Sequence, residues 1–206
     1  MAPKYKLTYF DFSGLGEPIR FIFHYAGIDF EDNRLNREQW AKLKPNAPLL
    51  QMPLLEVDGK TLHQSLAIAR YVAKQVGLAG DNDFEAYEID AAADTANDFR
   101  LAVVHYLSQQ DPTIKQQFKE KLEDEKIPLY LNALDSWAKK NNGYLANGKI
   151  SWADLYLVAV LGYLSYFLKR DLYEGYPNLK KVQDNVFANP GVNSWVQRRP
   201  TDHFPL

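Results

Sequence analysis

The sequence predicts an α/β domain followed by an all-helical domain. Three observations carry this. In the first third, short β-type runs alternate with runs of helical period in the order β-α-β-α-β-β-α. A polar, glycine-bearing break follows at Gly77-Leu78-Ala79-Gly80-Asp81-Asn82-Asp83. Beyond it, helical periodicity runs almost to the end. The expected organisation is therefore an α/β domain over 1–78, a linker over 79–84 and a helical domain over 85–206. A chain of 206 residues can build one large or two modest domains with ample core.

Lys6–Phe10 reads as the first strand, with Leu7 and Tyr9 on one face and Thr8 and Phe10 on the other. Ser13-Gly14-Leu15-Gly16 reads as a loop. Pro18 suits a first helical position, Ile19, Ile22, Phe23 and Ala26 follow at helical spacing, and Gly27 is a natural stop. A second strand is expected over Asp29–Leu35, and Arg37–Lys44 reads as a helical turn before Pro45-Asn46-Ala47-Pro48.

Residues 52–71 are the most telling stretch. Pro53 fits the first residue of a strand, where no ladder N–H is needed. Asp58-Gly59 between two apolar runs signals a tight hairpin, because both central residues require positive φ. Ser65 reads as the N-cap of a helix over Leu66–Val76, and N–H groups behind a cap form an anion site. A strand edge thus lies close to a carboxylate-binding helix end, a place for a small acidic peptide. Further on, helical runs cover about Glu85–Gln109, Pro112–Asn141, Trp152–Lys169, Pro177–Asn189 and Val192–Arg198. Ser151 with Asp154, flanked by Ile150 and Leu155, has the pattern of a capping box with a hydrophobic staple.

Composition excludes several function classes. The formal charge of −2 gives no reason to expect nucleic acid or an anionic membrane as partner. The first 78 residues hold ten Lys or Arg against eight Asp or Glu, the remainder fourteen against eighteen, so an anionic ligand suits the first part. With no cysteine there is no disulfide, thiolate nucleophile or Cys-ligated metal, and thiol chemistry needs a thiol brought by the ligand. No apolar stretch is long enough for a membrane span, and the first residues lack the apolar run of a secretory signal. A cytoplasmic protein without a metal centre is expected.

Five fragments in order carry a resemblance: Lys6-Leu7-Thr8-Tyr9-Phe10, Gly16-Glu17-Pro18-Ile19-Arg20, Met52 through Gly59, Leu62 through Tyr71, and Ser151-Trp152-Ala153-Asp154. With these the chain resembles the cytosolic glutathione transferases, most closely the sigma class with its nematode members and the haematopoietic prostaglandin D synthases. The resemblance spans essentially the whole chain. It implies a thioredoxin-like N-terminal domain that binds glutathione as co-substrate, an all-helical C-terminal domain and a homodimer. Thioredoxin-like redox proteins usually carry a C-x-x-C pair, and its absence here favours the transferase branch.

The resemblance also assigns residues. Tyr9, read from the residues alone, is first of all a strand tyrosine at the core edge; the resemblance makes it the group that donates to the glutathione sulfur. Gln64 and Ser65 match the pair gripping the γ-glutamyl end, and Met52 and Pro53 match the cis-proline segment that pairs with the cysteinyl unit. Trp40, Lys44 and Gln51 match positions at the glycyl carboxylate. Asp98, the last of Asp90, Asp94 and Asp98 on one helix face, is implied to reach the γ-glutamyl ammonium of the neighbouring subunit. Leu15 departs from the arginine found near the sulfur in several sigma-class enzymes, so the resemblance implies thiolate activation resting more heavily on Tyr9 and on the first domain's local dipoles. An electrophile pocket is expected from Phe10, Leu15, His105, Tyr106, Tyr156, Val160, Phe204 and Leu206, although apolar residues at helical spacing equally fit a core.

These assignments imply an enzyme conjugating glutathione to small hydrophobic electrophiles, as in detoxification, with peroxidase or prostaglandin isomerase side activity. The alternative is a non-enzymatic carrier of lipids, haem or other bulky apolar ligands, or a crystallin-like structural protein. Retention of Tyr9, Gln64 and Ser65 favours the enzyme.

Overall fold

The computed structural model describes residues 3–200. They fall into two compact units, the described parts of Met1–Gly77 with Phe187–Leu206, and Leu78–Val186.

The first unit is built on a four-stranded sheet of order β2-β1-β3-β4, formed by β1 (Tyr5–Phe10), β2 (Glu31–Leu35), β3 (Leu54–Val57) and β4 (Lys60–His63). β1 runs parallel to β2, with Lys6 opposite Glu31 and Phe10 opposite Leu35, and antiparallel to β3, with Tyr5 opposite Val57. β3 and β4 form the hairpin, turning at Asp58 and Gly59 with φ of 47° and 83°, as the Asp-Gly signal requires. β2 begins two residues later than the sequence suggested.

α1 (Glu17–Ala26) carries Pro18 in its first turn and stops at Gly27, left-handed at φ 64°, whose N–H bonds the His24 carbonyl. Its first seven residues are buried, among them Ile19, Phe21, Ile22 and Phe23. α2 (Arg37–Leu43) is opened by a capping box between Asn36 and Gln39. α3 (Ser65–Gln75) buries Ile68, Ala69, Val72 and Ala73, the stripe expected of a helix lying on a sheet. Ser65 is its first helical residue rather than its cap, and Gln64 holds the cap position.

The second unit is helical. α4 (Asp83–Leu107) is capped by Asn82, whose Oδ1 accepts from the Phe84 and Glu85 N–H groups. α5 (Pro112–Lys121) and α6 (Ile127–Lys140) are joined by one π-helical turn over Leu122–Lys126. α7 (Trp152–Leu168) is buried on every side from Trp152 to Leu161, which explains why its sequence is apolar all round. Asp154 anchors its start: Oδ2 accepts from Ser151 N (2.7 Å) and Oγ (2.9 Å), and Oδ1 from Leu145 N (2.7 Å). Burial pushes this carboxyl up to about 6, against the pull of those donors.

α8 (Pro177–Phe187) closes the second unit, and α9 (Pro190–Arg198) returns to the first. The sequence reading carried the helical domain to residue 206, whereas α9 packs on α1. There the Asn189 amide bonds the Tyr25 carbonyl, and a Cβ at Gly191 would collide with the His24 carbonyl. Among the described residues no helix is long and apolar enough to cross a membrane.

Candidate functional site

Tyr9 lies next to the end of β1, 7% exposed, and the loop after the strand folds back onto its ring. A Cβ at Gly14 would stand 2.7 Å from Tyr9 Oη and 2.5 Å from Phe12 Cε2; one at Gly16 would stand 2.7 Å from Tyr9 Cδ1. Only glycine lets the backbone approach this closely. The approach brings the Leu15 N–H to the Tyr9 oxygen, donating at 3.1 Å. A phenol that accepts an N–H has its oxygen charge stabilised, and its own O–H becomes a stronger donor. Phe10, Phe12 and Trp40 continue the aromatic surface, with Tyr9 5.4 Å from Phe12 and Phe10 6.1 Å from Trp40 between ring centroids.

Beside this loop a depression is lined by Leu15, Pro48, Leu49, Gln51, Met52, Pro53, His63, Gln64 and Ser65. Six of these, Leu15, Gln51, Met52, Pro53, Gln64 and Ser65, are residues the sequence singled out; Pro48, Leu49 and His63 are not. The Met52–Pro53 peptide bond is cis. Gln64 sits at φ 72°, ψ 106°, a region that side-chain-bearing residues seldom occupy, and its side chain does not cap α3. The start of α3 thus borders the depression through Gln64 and Ser65. Leu49 and Leu50 are also left-handed, both at φ 54°, and both are exposed.

The other assigned residues are placed as follows. Trp40 on α2 is half-buried, and Lys44, one turn later and exposed, gives its N–H to the Trp40 carbonyl, so the two share a helix side. Neither lines the depression. In the second unit Asp98 is exposed on α4. His105 is exposed with its ring 4.9 Å from Phe118, and Lys115 stands 5.8 Å from the Tyr106 ring. Tyr156 and Val160 are fully buried on α7, Tyr156 donating to Asn97 Oδ1 at 3.0 Å. Phe204 and Leu206 lie outside the described residues.

The first unit thus combines a thioredoxin-like sheet, an aromatic hydroxyl near the end of its first strand and a helix start beside a cis-proline. Residues 5–74 match the family described as glutathione S-transferase, N-terminal domain, and residues 97–199 the glutathione S-transferase C-terminal domain. A glutathione S-transferase of Anopheles gambiae is 46% identical over 96% of this chain and 98% of that protein. The haematopoietic prostaglandin D synthase of Gallus gallus is 41% identical over 96% and 98%. A solved structure described as prostaglandin synthase D of Nilaparvata lugens superposes with a TM-score of 0.91 at 44% identity, covering 96% of this chain and 99% of that one. The chain belongs to the glutathione S-transferase family. Within it, it is sigma-class-like, related to the haematopoietic prostaglandin D synthases and to the nematode transferases.

Proposed function

We propose that the enzyme binds glutathione in the depression beside Tyr9, ionises its thiol against the Tyr9 hydroxyl, and adds the thiolate to hydrophobic electrophiles. The observation that carries this reading is the Leu15 N–H on the Tyr9 oxygen, next to the helix start at Gln64-Ser65. The tripeptide lies along Met52-Pro53, with its γ-glutamyl carboxylate at Ser65 and the α3 N–H groups. Gln51, Trp40 and Lys44 serve the glycyl end.

A thiol of pKa about 8.5 is only a few per cent ionised at neutral pH. Lowering it by roughly two units takes about 2.7 kcal/mol, the upper range of one charge-assisted hydrogen bond. With Leu15 where a cation could have stood, Tyr9 supplies most of this. The apolar Leu15 and Phe10 side chains present a greasy edge to the incoming electrophile. A homodimer places Asp98 of the partner subunit at the γ-glutamyl ammonium.

The test is conjugation of glutathione to chlorodinitrobenzene by wild type and Tyr9→Phe. Loss of one such hydrogen bond lowers kcat/KM by about 10- to 100-fold while glutathione still binds. A fully active Tyr9→Phe variant removes Tyr9 from the mechanism. For the partner contribution, Asp98→Ala raises the KM for glutathione with kcat little changed; an unchanged KM rejects the cross-subunit contact.

A further inference from the structure

Beneath the Tyr9 loop lies a chain of buried charges that the conjugation chemistry does not use. Glu17 is 1% exposed and Arg20 fully buried. Glu17 Oε2 accepts from Arg20 Nη1 at 3.1 Å, and Oε1 accepts from Trp195 Nε1 and Arg199 Nη1, both at 2.8 Å. Two of its three donors thus come from the C-terminal segment, 178 and 182 residues along the chain. Burial alone would raise the Glu17 carboxyl, but Arg20 and Arg199, with the Arg199 and Trp195 hydrogen bonds, hold it below the ordinary range.

Arg20 passes this anchoring on to the loop. Its Nε reaches both oxygens of Asp32, at 3.0 and 3.1 Å, and its Nη1 donates to the carbonyls of Phe12 (3.1 Å) and Ser13 (3.4 Å). The Ser13 carbonyl also receives the Glu17 N–H at 3.0 Å. Asp32 is shared with Arg34, whose Nη1 holds Asp11 at 3.0 Å and whose guanidinium lies 5.5 Å from the Trp195 ring. Each of residues 11–13 is therefore held from below, and the next three residues are Gly14-Leu15-Gly16, wedged on the Tyr9 ring. The Arg20 guanidinium is itself 6.0 Å from that ring, its charge matched by Glu17 and Asp32.

A buried ion pair gives little net stability against apolar residues of equal volume, so its geometry is the better reason for its presence. Hydrogen bonds weaken steeply with misalignment, and the Leu15 N–H reaches the phenol only while the loop keeps its place. We propose that Trp195 and Arg199 are positioning residues for Tyr9: by holding Glu17 they fix Arg20 and the loop carbonyls, and so aim the Leu15 N–H at the Tyr9 oxygen. This rests on Tyr9 as the activating group proposed above, but its geometric half can be read without turnover.

The experiment compares wild type, Trp195→Phe, Arg199→Met and Arg199→Lys. The ionisation of Tyr9 is followed in the ligand-free protein by ultraviolet difference titration, with Tyr9→Phe subtracted to isolate its signal. In Trp195→Phe and Arg199→Met the Tyr9 phenol ionises at least ~0.5 pH unit higher, because the donated N–H is no longer held. The acid limb of kcat/KM moves the same way, with the KM for glutathione changed less than about twofold. Arg199→Lys, which keeps a cation for Glu17, returns the Tyr9 titration most of the way to its wild-type position. A lowered melting temperature with an unmoved Tyr9 titration overturns the proposal, since that is what a purely structural clamp would give. Absence of turnover in wild type would instead sink the role of Tyr9 in conjugation while leaving the titration to decide the network.

Discussion

The demand for glycine at position 16 originates in the Tyr9 ring, whereas Gly14 is required both by its φ of 41° and by the Phe12 and Tyr9 rings. Gly27 gives the contrast: it sits at φ 64° with nothing within 4 Å of an added Cβ, so Gly27→Ala meets only backbone strain, about 1 kcal/mol. Gly16 has no such φ, yet a Cβ there would stand 2.7 Å and 2.9 Å from Tyr9 Cδ1 and Cγ. Gly16→Ala therefore displaces Tyr9, costs about 1–3 kcal/mol of stability and lowers conjugation rate. Gly27→Ala keeps its rate. Thermal melts and the chlorodinitrobenzene assay on both variants check this, and equal rates would show that the loop tolerates the shift. From sequence, Ser13–Gly16 was legible as a loop and Tyr9 as a strand residue. Their contact was not, because it depends on how the chain turns after Phe10.

At the scale of elements, the start of α3 shows what a local rule can and cannot see. Capping preferences favour a small polar residue at the cap, which selected Ser65. The chain instead caps with Gln64 in a strained conformation, and such strain costs of order 1–3 kcal/mol and concentrates where ligands bind. Gln64→Gly relieves the backbone and Gln64→Ala does not, so the glycine variant is more stable than the alanine one by about 1 kcal/mol while both lose glutathione affinity. Denaturant midpoints with isothermal titration check it; an alanine variant as stable as the glycine one would mean no strain is stored. The hairpin, by contrast, was fully legible, because Asp58-Gly59 states its own φ requirement. So was the start of α7, where Ser151 and Asp154 satisfy each other within four residues. Asp154→Ala leaves the buried N–H groups of Leu145 and Ser151 without their acceptor, at about 1–3 kcal/mol each, and a large fall in melting temperature is the expected result.

For the whole molecule, the return of α9 to the first unit is the feature that no window of sequence contains. The run Val192–Arg198 was legible as a helix, but its partner α1 lies at the other end of the chain. What the return creates is a contact that holds His24 against Trp195, and acid sensitivity is its expected consequence. His24 stacks on Trp195 with ring centroids 4.5 Å apart, and its Nε2 is buried without a hydrogen-bond partner among the described residues. Burial first, and then the nearby Arg198 charge, lower its pKa from the ordinary 6.5. Between the folded and unfolded values the unfolded chain binds more protons, so stability rises with pH there and is lost as pH falls below 6.5. Glu17 is lowered as well, and its contribution is lost by the same logic further down, below 4.5. His24→Phe keeps an aromatic ring against Trp195 and removes the titration. Urea midpoints of wild type and His24→Phe, measured from pH 7.5 to 5.0, should diverge below 6.5, with wild type falling faster. Because every other group is common to both proteins, parallel curves would show that protonating His24 leaves the α1–α9 contact undisturbed.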